Sequence, residues 1–373
     1  MDSPRKQLMF FWSAVWMISL SYAIFFPRLV SAQSGWQKEW ERVVAEAKKE
    51  GQLTLMGPAG AEIRRAVTEP FQKKYGISVE YLSGRASDFG PRILTERRAG
   101  RYLWDIVMGG TTTILESLVP AGAADPIRPA LMLPEVTDTK NWRDGRLDFS
   151  DIAQVHNLVF IGTPKVILAY NKDLVNPKEL RSYRDLLNPK WKEKIASDDP
   201  KTAGSGQATF LFFYMNSELG EPFIRELSKQ DLRFIRDHRQ RAEWVAHGKI
   251  PLMISPSETV TVPLIRRGLP IGMMQPLKEG TYMTASTGSV ILMNRAAHPN
   301  AAKVYLNWLL SKEGQTAWVE TTGTLSRRLD VPVEKVEDFA RMLPGVKYDA
   351  DNYKEVAIRR RPELTEVVNK IFP

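Results

Sequence analysis

The chain has 373 residues, 43% of them hydrophobic and 25% charged, with a formal charge of +9 and no cysteine. That balance is ordinary for a globular protein with a sizeable core, and the missing thiols exclude disulfides, thiolate metal sites, thiol catalysis and a lipid-bearing N-terminal cysteine. The positive excess is spread along the chain, which fits an anionic ligand or surface better than nucleic acid, and the short runs Arg97-Arg98 and Arg359-Arg360-Arg361 read as solvated faces.

Arg5 and Lys6 precede the uncharged stretch 7–27, and Val30-Ser31-Ala32 then supplies the small-residue pattern that a signal peptidase reads. Segment 1–32 is expected to be a signal peptide, with Gln33 as the new N-terminus. Its apolar run of 19 residues, 8–26, also reaches the ~17–25 of a spanning helix. The alternative is therefore a leader retained as a membrane anchor, and in both cases the folded part is exported. The roughly 340 residues that follow suggest two domains at ~100–200 residues each.

Trp36, Trp40, Val43, Val44 and Ala47 fall at helical spacing, closed by Gly51. Residues 53–56 read as a buried strand and 57–60 as a loop. Ile63, Val67, Phe71 and Tyr75 mark a helix that ends at Gly76 and should kink at Pro70. A second strand at 78–82 leads to the polar loop 83–88 and a helix starting near Pro91. A third strand, 105–108, leads through Gly109-Gly110-Thr111-Thr112-Thr113 into a fourth helix. Strand, loop and helix repeated three times predict a parallel sheet with helices on both faces, its loops gathered on one edge where ligands bind. The pattern breaks between 122 and 151. Strands at 159–161 and 166–170 then open a second α/β set: a strand at 195–196, the loop 198–206, a helix through Phe210 and Phe213, a helix at 241–248, a strand at 251–254 capped by Ser255-Pro256-Ser257, a helix at 258–268, a strand at 289–294 and a helix holding Val304, Leu306, Trp308 and Leu309. No repeat of fixed period appears.

The run 298–315, opening His298-Pro299-Asn300-Ala301-Ala302-Lys303 and closing Ser311-Lys312-Glu313-Gly314-Gln315, is close to a family signature. So are Asn188-Pro189-Lys190-Trp191-Lys192-Glu193-Lys194-Ile195 with Asp199-Pro200 and Gly204-Ser205-Gly206, Tyr170-Asn171-Lys172-Asp173-Leu174, and the late turn Gly323-Thr324-Leu325-Ser326-Arg327. Together they resemble the periplasmic solute-binding proteins of ABC importers, in the branch that includes ferric-iron binders. The resemblance implies a type II, two-lobed α/β fold, each lobe a mostly parallel sheet flanked by helices, with hinge strands near 165–170 and 282–289. It places 33–166 with 284–315 in lobe 1 and 167–283 with 316–373 in lobe 2. It further implies a periplasmic location, a small-molecule ligand held in a cleft that closes about the hinge, an ABC permease of the inner membrane as partner, a monomer, and no cofactor.

Iron-binding members hold the metal with paired tyrosines on the cleft helix plus a His and a Glu. Here the matching segment reads Ser255-Pro256-Ser257-Glu258-Thr259, and the loops 57–60 and 109–112 carry neither His nor carboxylate. A hard trivalent cation would lack its anionic oxygens, so binding by that familiar set is not expected. The cleft residues are expected to be Gly57, Ala59, Ser83, Arg85, Gly110, Thr111, Thr112, Thr202, Ser205, Gly206, Ser257 and Glu258. Glycines let a ligand approach the backbone. Thr202, Ser205 and Gly206 at a helix start suit a carboxylate or phosphate, Arg85 offers a forked contact, and Glu258 suits an amine. The ligand read from this set is a small organic anion or a zwitterion. Helix capping by Ser205 and Ser257, and a salt bridge of Arg85 or Glu258, are the structural alternatives. Ferric iron or an iron chelate bound through another ligand set, a sensory binding protein, and a secreted hydrolase are the competing functions. Against the hydrolase, His156, His238, His247 and His298 form no metal spacing, Gly204-Ser205-Gly206 lacks nucleophile-elbow spacing, and no phosphate loop or dinucleotide fingerprint occurs. Most aromatics read as core, with Trp104 and Tyr282, near strand ends, as the candidate exceptions.

Overall fold

The structure, a computed structural model, describes residues 35–84, 86–202 and 204–372. The expected leader 1–32, its cleavage site and Arg85 lie outside the described residues. Among those described, no helix is long and apolar enough to cross a membrane.

In the first half, α1 (Gly35–Glu50) buries Val43 and Ala47 and ends where the Gly51 N–H reaches the Ala47 carbonyl. β1 (Gln52–Gly57), α2 (Ala61–Tyr75), β2 (Ser78–Ser83), α3 (Ala86–Arg98) and β3 (Ile106–Gly109) follow in the expected order. α2 runs through Pro70 and closes on left-handed Gly76. α3 starts at Ala86 with Pro91 inside it rather than at its start, since a proline this early forfeits only one helical hydrogen bond. The expected fourth helix is a single turn, α4 (Thr111–Thr113), widening into a π-turn over Ile114–Leu118. β4 (Ala124–Asp125), α5 (Pro134–Thr137), β5 (Asp148–Phe149), β6 (Leu158–Val159) and short 3-10 turns at Arg128–Ala130, Thr139–Asn141 and Arg143–Gly145 punctuate the stretch up to β7 (Thr163–Pro164).

The second half holds β8 (Leu168–Asn171), β9 (Ile195–Ser197), α6 (Ser205–Met215), α7 (Gly220–Ser228), β10 (Arg233–Phe234), α8 (His238–Ala246), β11 (Leu252–Ile254), α9 (Glu258–Arg266) and β12 (Ile271–Met273). β13 (Thr281–Thr284) leads back to β14 (Ser289–Met293), α10 (Pro299–Leu310) and α11 (Lys312–Thr322). The tail carries β15 (Tyr348–Asp349), α12 (Glu355–Ile358) and α13 (Arg361–Ile371).

Two sheets result. The first runs β2-β1-β3-β14-β6-β5 with β4 beside β14, and the second β10-β9-β11-β8-β12. Both are mixed rather than mostly parallel. β1, β2 and β3 are parallel, as are β9, β10 and β11, but β14 opposes β3 and β8 opposes β11. The reason is where the chain comes from. β14 begins where β3 ends, Ser289 opposite Gly109, and β8 begins where β11 ends, Leu168 opposite Ile254. A strand entering each lobe from the hinge meets the C-terminal ends of the parallel strands and must run against them. The same fact aims the strand-tip loops of both sheets at the hinge.

Each sheet is covered on both faces, following the alternation of strand side chains. Leu53 and Leu55 face a cluster with Phe71, Tyr305, Trp308 and Trp318, while Met56 and Val107 face Ile93, Ile114 and Ile291. Ile195 and Leu252 pack with Phe210, Phe213, Phe223 and Leu364, while Ala196 and Met253 pack with Val245 and Ile271. The segment 316–373, expected in lobe 2, is divided by its packing: α11 lies on α2 with Trp318 in the first core, and α13 lies on α6 and α7 with Leu364 and Val368 in the second.

A third sheet, β15-β13-β7, links the lobes. β13 is antiparallel to β7 and parallel to β15. Burial raises the Asp349 carboxyl pKa on β15, while its oxygen accepts the Asp351 N–H at 2.9 Å. A carboxyl raised above its unfolded value burdens the fold at pH values where it is charged. Asp349→Asn, which keeps the acceptor, should therefore raise Tm at pH 7, and the gain should vanish as pH falls below the ordinary Asp pKa of about 3.9, when the carboxyl is neutral in both states. Melting curves across pH 3–8 check this.

The signature run 298–315 holds the fold together. Asp105, fully buried, accepts His298 N–H at 2.9 Å and contacts His298 Nδ1 at 2.8 Å, fixing the start of α10. Asn307, also fully buried, accepts the Met132 and Leu133 N–H groups at 2.7 and 3.0 Å and donates to the Ala130 carbonyl at 2.7 Å. Asn307→Ala strands all three backbone groups and should cost about 2–4 kcal/mol, read as a lower urea midpoint at unchanged slope.

Candidate functional site in the inter-lobe cleft

On the first lobe, the Gly57 to Gly60 loop joins β1 to α2. Gly57 is glycine because a Cβ there would overlap the Tyr81 ring, whose hydroxyl donates to the Pro58 carbonyl at 2.7 Å. Ala59 and Ser83 are exposed at the tips of β1 and β2. Gly110 precedes α4 with no side chain capping that turn, and a Cβ on it would touch the Ser286 carbonyl of the hinge at 3.5 Å. Thr111 is buried and Thr112 half-buried beside it.

On the second lobe, the loop 198–206 is already occupied by the chain's own anion. The Asp198 carboxylate accepts Ser205 Oγ–H at 2.7 Å and Gly206 N–H at 3.1 Å. The helix start expected to receive a ligand's carboxylate or phosphate thus carries Asp198 instead. Gly206 is glycine because a Cβ would press on the Asp198 and Asp199 backbones at 2.8 Å. Thr202 is exposed, with its hydroxyl 3.4 Å from the Asp199 carbonyl. Asp198 in turn meets Arg241 at 3.5 Å. Arg241 is fully buried and donates to the Ser255 carbonyl at 2.9 Å and to the Ile235 carbonyl, so it ties together the tips of β9 and β11. Ser255 takes a left-handed conformation (φ 57°) with its hydroxyl buried and unpartnered, a strained backbone just past the tip of β11.

Ser257, half-buried, precedes α9, and its carbonyl receives the Thr261 N–H at 2.8 Å. Glu258 does not stand ready for an amine: Lys165 Nζ lies 2.6 Å from its carboxylate and 2.6 Å from the Pro256 carbonyl. Lys165 is itself 6% exposed and follows hinge strand β7.

Tyr282 of β13 shares a 3.0 Å hydrogen bond with Thr209 of α6, and both are buried. Burial pushes the Tyr282 phenol well up, helped by the Glu258 and Asp198 carboxylates and opposed by the Thr209 bond and the Arg361 guanidinium. Trp104 is buried away from the cleft, its indole donating to Glu96 at 2.7 Å. The triple arginine does not behave as one solvated face. Arg359 and Arg360 are exposed and paired with Glu355 and Glu363, but Arg361 is 6% exposed. The signal was present in the sequence: Arg361, Leu364 and Val368 share one helical face. Lys165, Asp198 and Arg241 gave no such signal, because what they do depends on contacts distant in the chain.

Among the described residues no three His, Asp or Glu side chains come together as a metal site. An open cavity of ≈ 640 Å³ lined by Lys172, Asp173, Trp191 and Lys194 sits beyond the far end of β8, at the opposite end of the second sheet from the strand tips that line the cleft.

The model of the bacterial extracellular solute-binding protein family matches residues 66–342. The chain belongs to that family. Solved relatives carry the same two-lobed fold: IdiA (FutA) of Trichodesmium in complex with iron and citrate superposes with a TM-score of 0.66 at 19% identity, covering 86% of this chain and 99% of that one. AfuA of Actinobacillus pleuropneumoniae with fructose-6-phosphate bound gives 0.65 at 19% identity, covering 86% and 98%. An uncharacterized protein of Haemophilus influenzae is 20% identical over 286 residues, 74% of this chain and 78% of its own length. The resemblance read from 298–315 and its companions is borne out, and the solved relatives of this solute-binding protein are binding proteins rather than enzymes.

Proposed function

We propose that this protein captures a small organic anion or a zwitterion between its lobes in the periplasm and delivers it to an ABC permease of the inner membrane. The observation that carries the reading is the convergence of strand tips from two separately cored sheets on one three-stranded hinge, with Gly110 against the hinge and Ser255, Ser257 and Glu258 opposite. Such a gap closes over a guest by bending the hinge. Since Lys165 neutralises Glu258, the reading leans toward the anion. The citrate and fructose-6-phosphate seen in the relatives support the same ligand class. Iron carried as an anionic chelate is the second reading, favoured by the iron and citrate of the Trichodesmium protein.

A thermal-shift panel of small carboxylates, sugar phosphates, phosphonates, amino acids and ferric citrate tests this. A true ligand at one hundred times its Kd should add about 2.7 kcal/mol to the folded state and shrink the radius of gyration in solution scattering. If nothing on the panel stabilises the protein while ester or phosphate substrates are turned over, solute capture is wrong and the hydrolase reading takes its place.

A further inference from the structure

Among the described residues the buried arginines are tied to several acceptors each, with one exception, although Nε of Arg241 and of Arg327 also lacks a partner. Arg241 reaches two carbonyls and Asp198, Arg327 reaches Asp144, Asp148 and Tyr353, and Arg328 reaches Asp330 and the Glu135 and Leu310 carbonyls. Arg361 is 6% exposed, against 0–4% for these three, yet both its Nε and its Nη1 have no hydrogen-bond partner. Burying a guanidinium with unanswered N–H groups is costly, and a fold keeps one where something else completes it.

Its position says what. Arg361 is the first residue of α13, an 11-residue helix packed on α6 and α7 of the second lobe, so the helix N-terminus adds positive potential to its charge. Burial lowers its pKa, while the Glu116 carboxylate and the Tyr282 phenol act in the opposite sense. Glu116 belongs to the π-turn beyond the β3 tip of the first lobe, and Tyr282 to hinge strand β13. Just before Arg361, α12 touches the first lobe, where the Glu355 N–H donates to the Ser150 carbonyl at 2.8 Å beside β5, so the guanidinium stands near the junction of both lobes, and it forms no ion pair with Glu116 among the described residues.

We propose that Arg361 anchors the anionic group of the ligand: a carboxylate or phosphate takes a forked contact across the Nη1–Nη2 edge of the guanidinium, where Nη1 has no partner, near the Tyr282–Thr209 hydroxyl pair. This rests on the solute-capture reading and narrows it, requiring an anionic group and leaving an amine optional.

The test uses the mature full-length chain, with citrate, inorganic phosphate, fructose-6-phosphate and an uncharged sugar as calorimetric probes. The wild type should bind at least one anionic probe, and Arg361→Gln should weaken it about 100-fold. Arg361→Lys, which keeps the charge and loses the fork, should fall between, and Glu116→Gln should keep or improve affinity. Without ligand, Arg361→Gln should melt no lower than wild type, because an unanswered charge has been removed. If Arg361→Gln melts lower and binds the probe within about twofold of wild type, Arg361 is a structural latch and the proposal fails. If the wild type binds the uncharged sugar and closes on it while ignoring the anions, solute capture stands and the Arg361 anchor falls. If no probe of either kind binds or closes the protein, solute capture itself is contradicted and the anchor with it.

Discussion

Replacing Arg241 with alanine should destabilise the protein by about 3–5 kcal/mol and lower its melting temperature by roughly 10 °C. Arg241 has no exposed surface, and its guanidinium is shared among the Ile235 carbonyl, the Ser255 carbonyl and the Asp198 carboxylate. Removing it leaves a carboxylate that is 7% exposed without its cation, and a carbonyl on the left-handed Ser255 without its donor. A buried pair broken on one side costs more than the pair was worth, because the survivor remains out of water. The double variant Arg241→Met, Asp198→Asn should recover much of the loss. No uncompensated charge then remains, and the new side-chain amide still offers an oxygen to Ser205 and Gly206. Chemical denaturation of the two variants makes the comparison. Recovery of nothing in the double variant would show that packing, not charge, accounts for the effect.

Gly314→Ala should be nearly as severe, about 3 kcal/mol. Gly314 lies in the first turn of α11, which folds back against the end of α10, and a Cβ there would overlap the Trp308 carbonyl oxygen and sit 2.8 Å from the Leu309 Cα and carbonyl oxygen. All three are backbone atoms of a helix and cannot swing aside as a side-chain tip would. The angle between α10 and α11 must change, and with it the seating of Trp308 and Trp318 in the first core. Loss of the T-shaped contact between Phe160 and Trp318, 4.9 Å between ring centroids, should appear as altered tryptophan fluorescence in the folded protein. An alanine variant with wild-type stability would mean that the two helices meet with slack.

Both sites show how far the sequence could be read. The strands at 53–56 and 105–108 were legible as short, largely apolar runs between glycines or polar turns, and that at 78–82 as an alternation of polar and apolar residues after Gly76; β1 is buried on both faces as such runs must be. The sheets' mixed character was not legible: nothing in 289–293 tells which neighbour it will meet, and its direction follows from arrival at the hinge. The signature run identified the family, and in the structure its polar residues serve the backbone: Asn307 and Gln315 hold carbonyls and amides of the first lobe. The candidate site was legible in its loops and less so in its charges. Glycines at 57 and 206 suggest ligand approaches on sequence alone, while in the structure they make room for Tyr81 and for the Asp198 backbone. Glu258 and the 205–206 helix start look open in the sequence, and each already has a partner: Glu258 from far along the chain, the helix start from across its own loop. Side-chain pairing across more than 90 positions, as between Lys165 and Glu258, leaves no local mark.

The ladder of β7, β13 and β15 has a mechanical corollary. A three-stranded ribbon flexes across its plane with its hydrogen bonds intact, but sliding one strand along another breaks them in register. The two halves should therefore swing along a single arc, like a book on its spine, and a guest should enter and leave only through the fore-edge opposite that spine. Gly280 sits on this spine at φ 84°, its Cα packed close to the Lys347 backbone. Any larger residue there would wedge the spine apart and change the width of the opening without touching the guest.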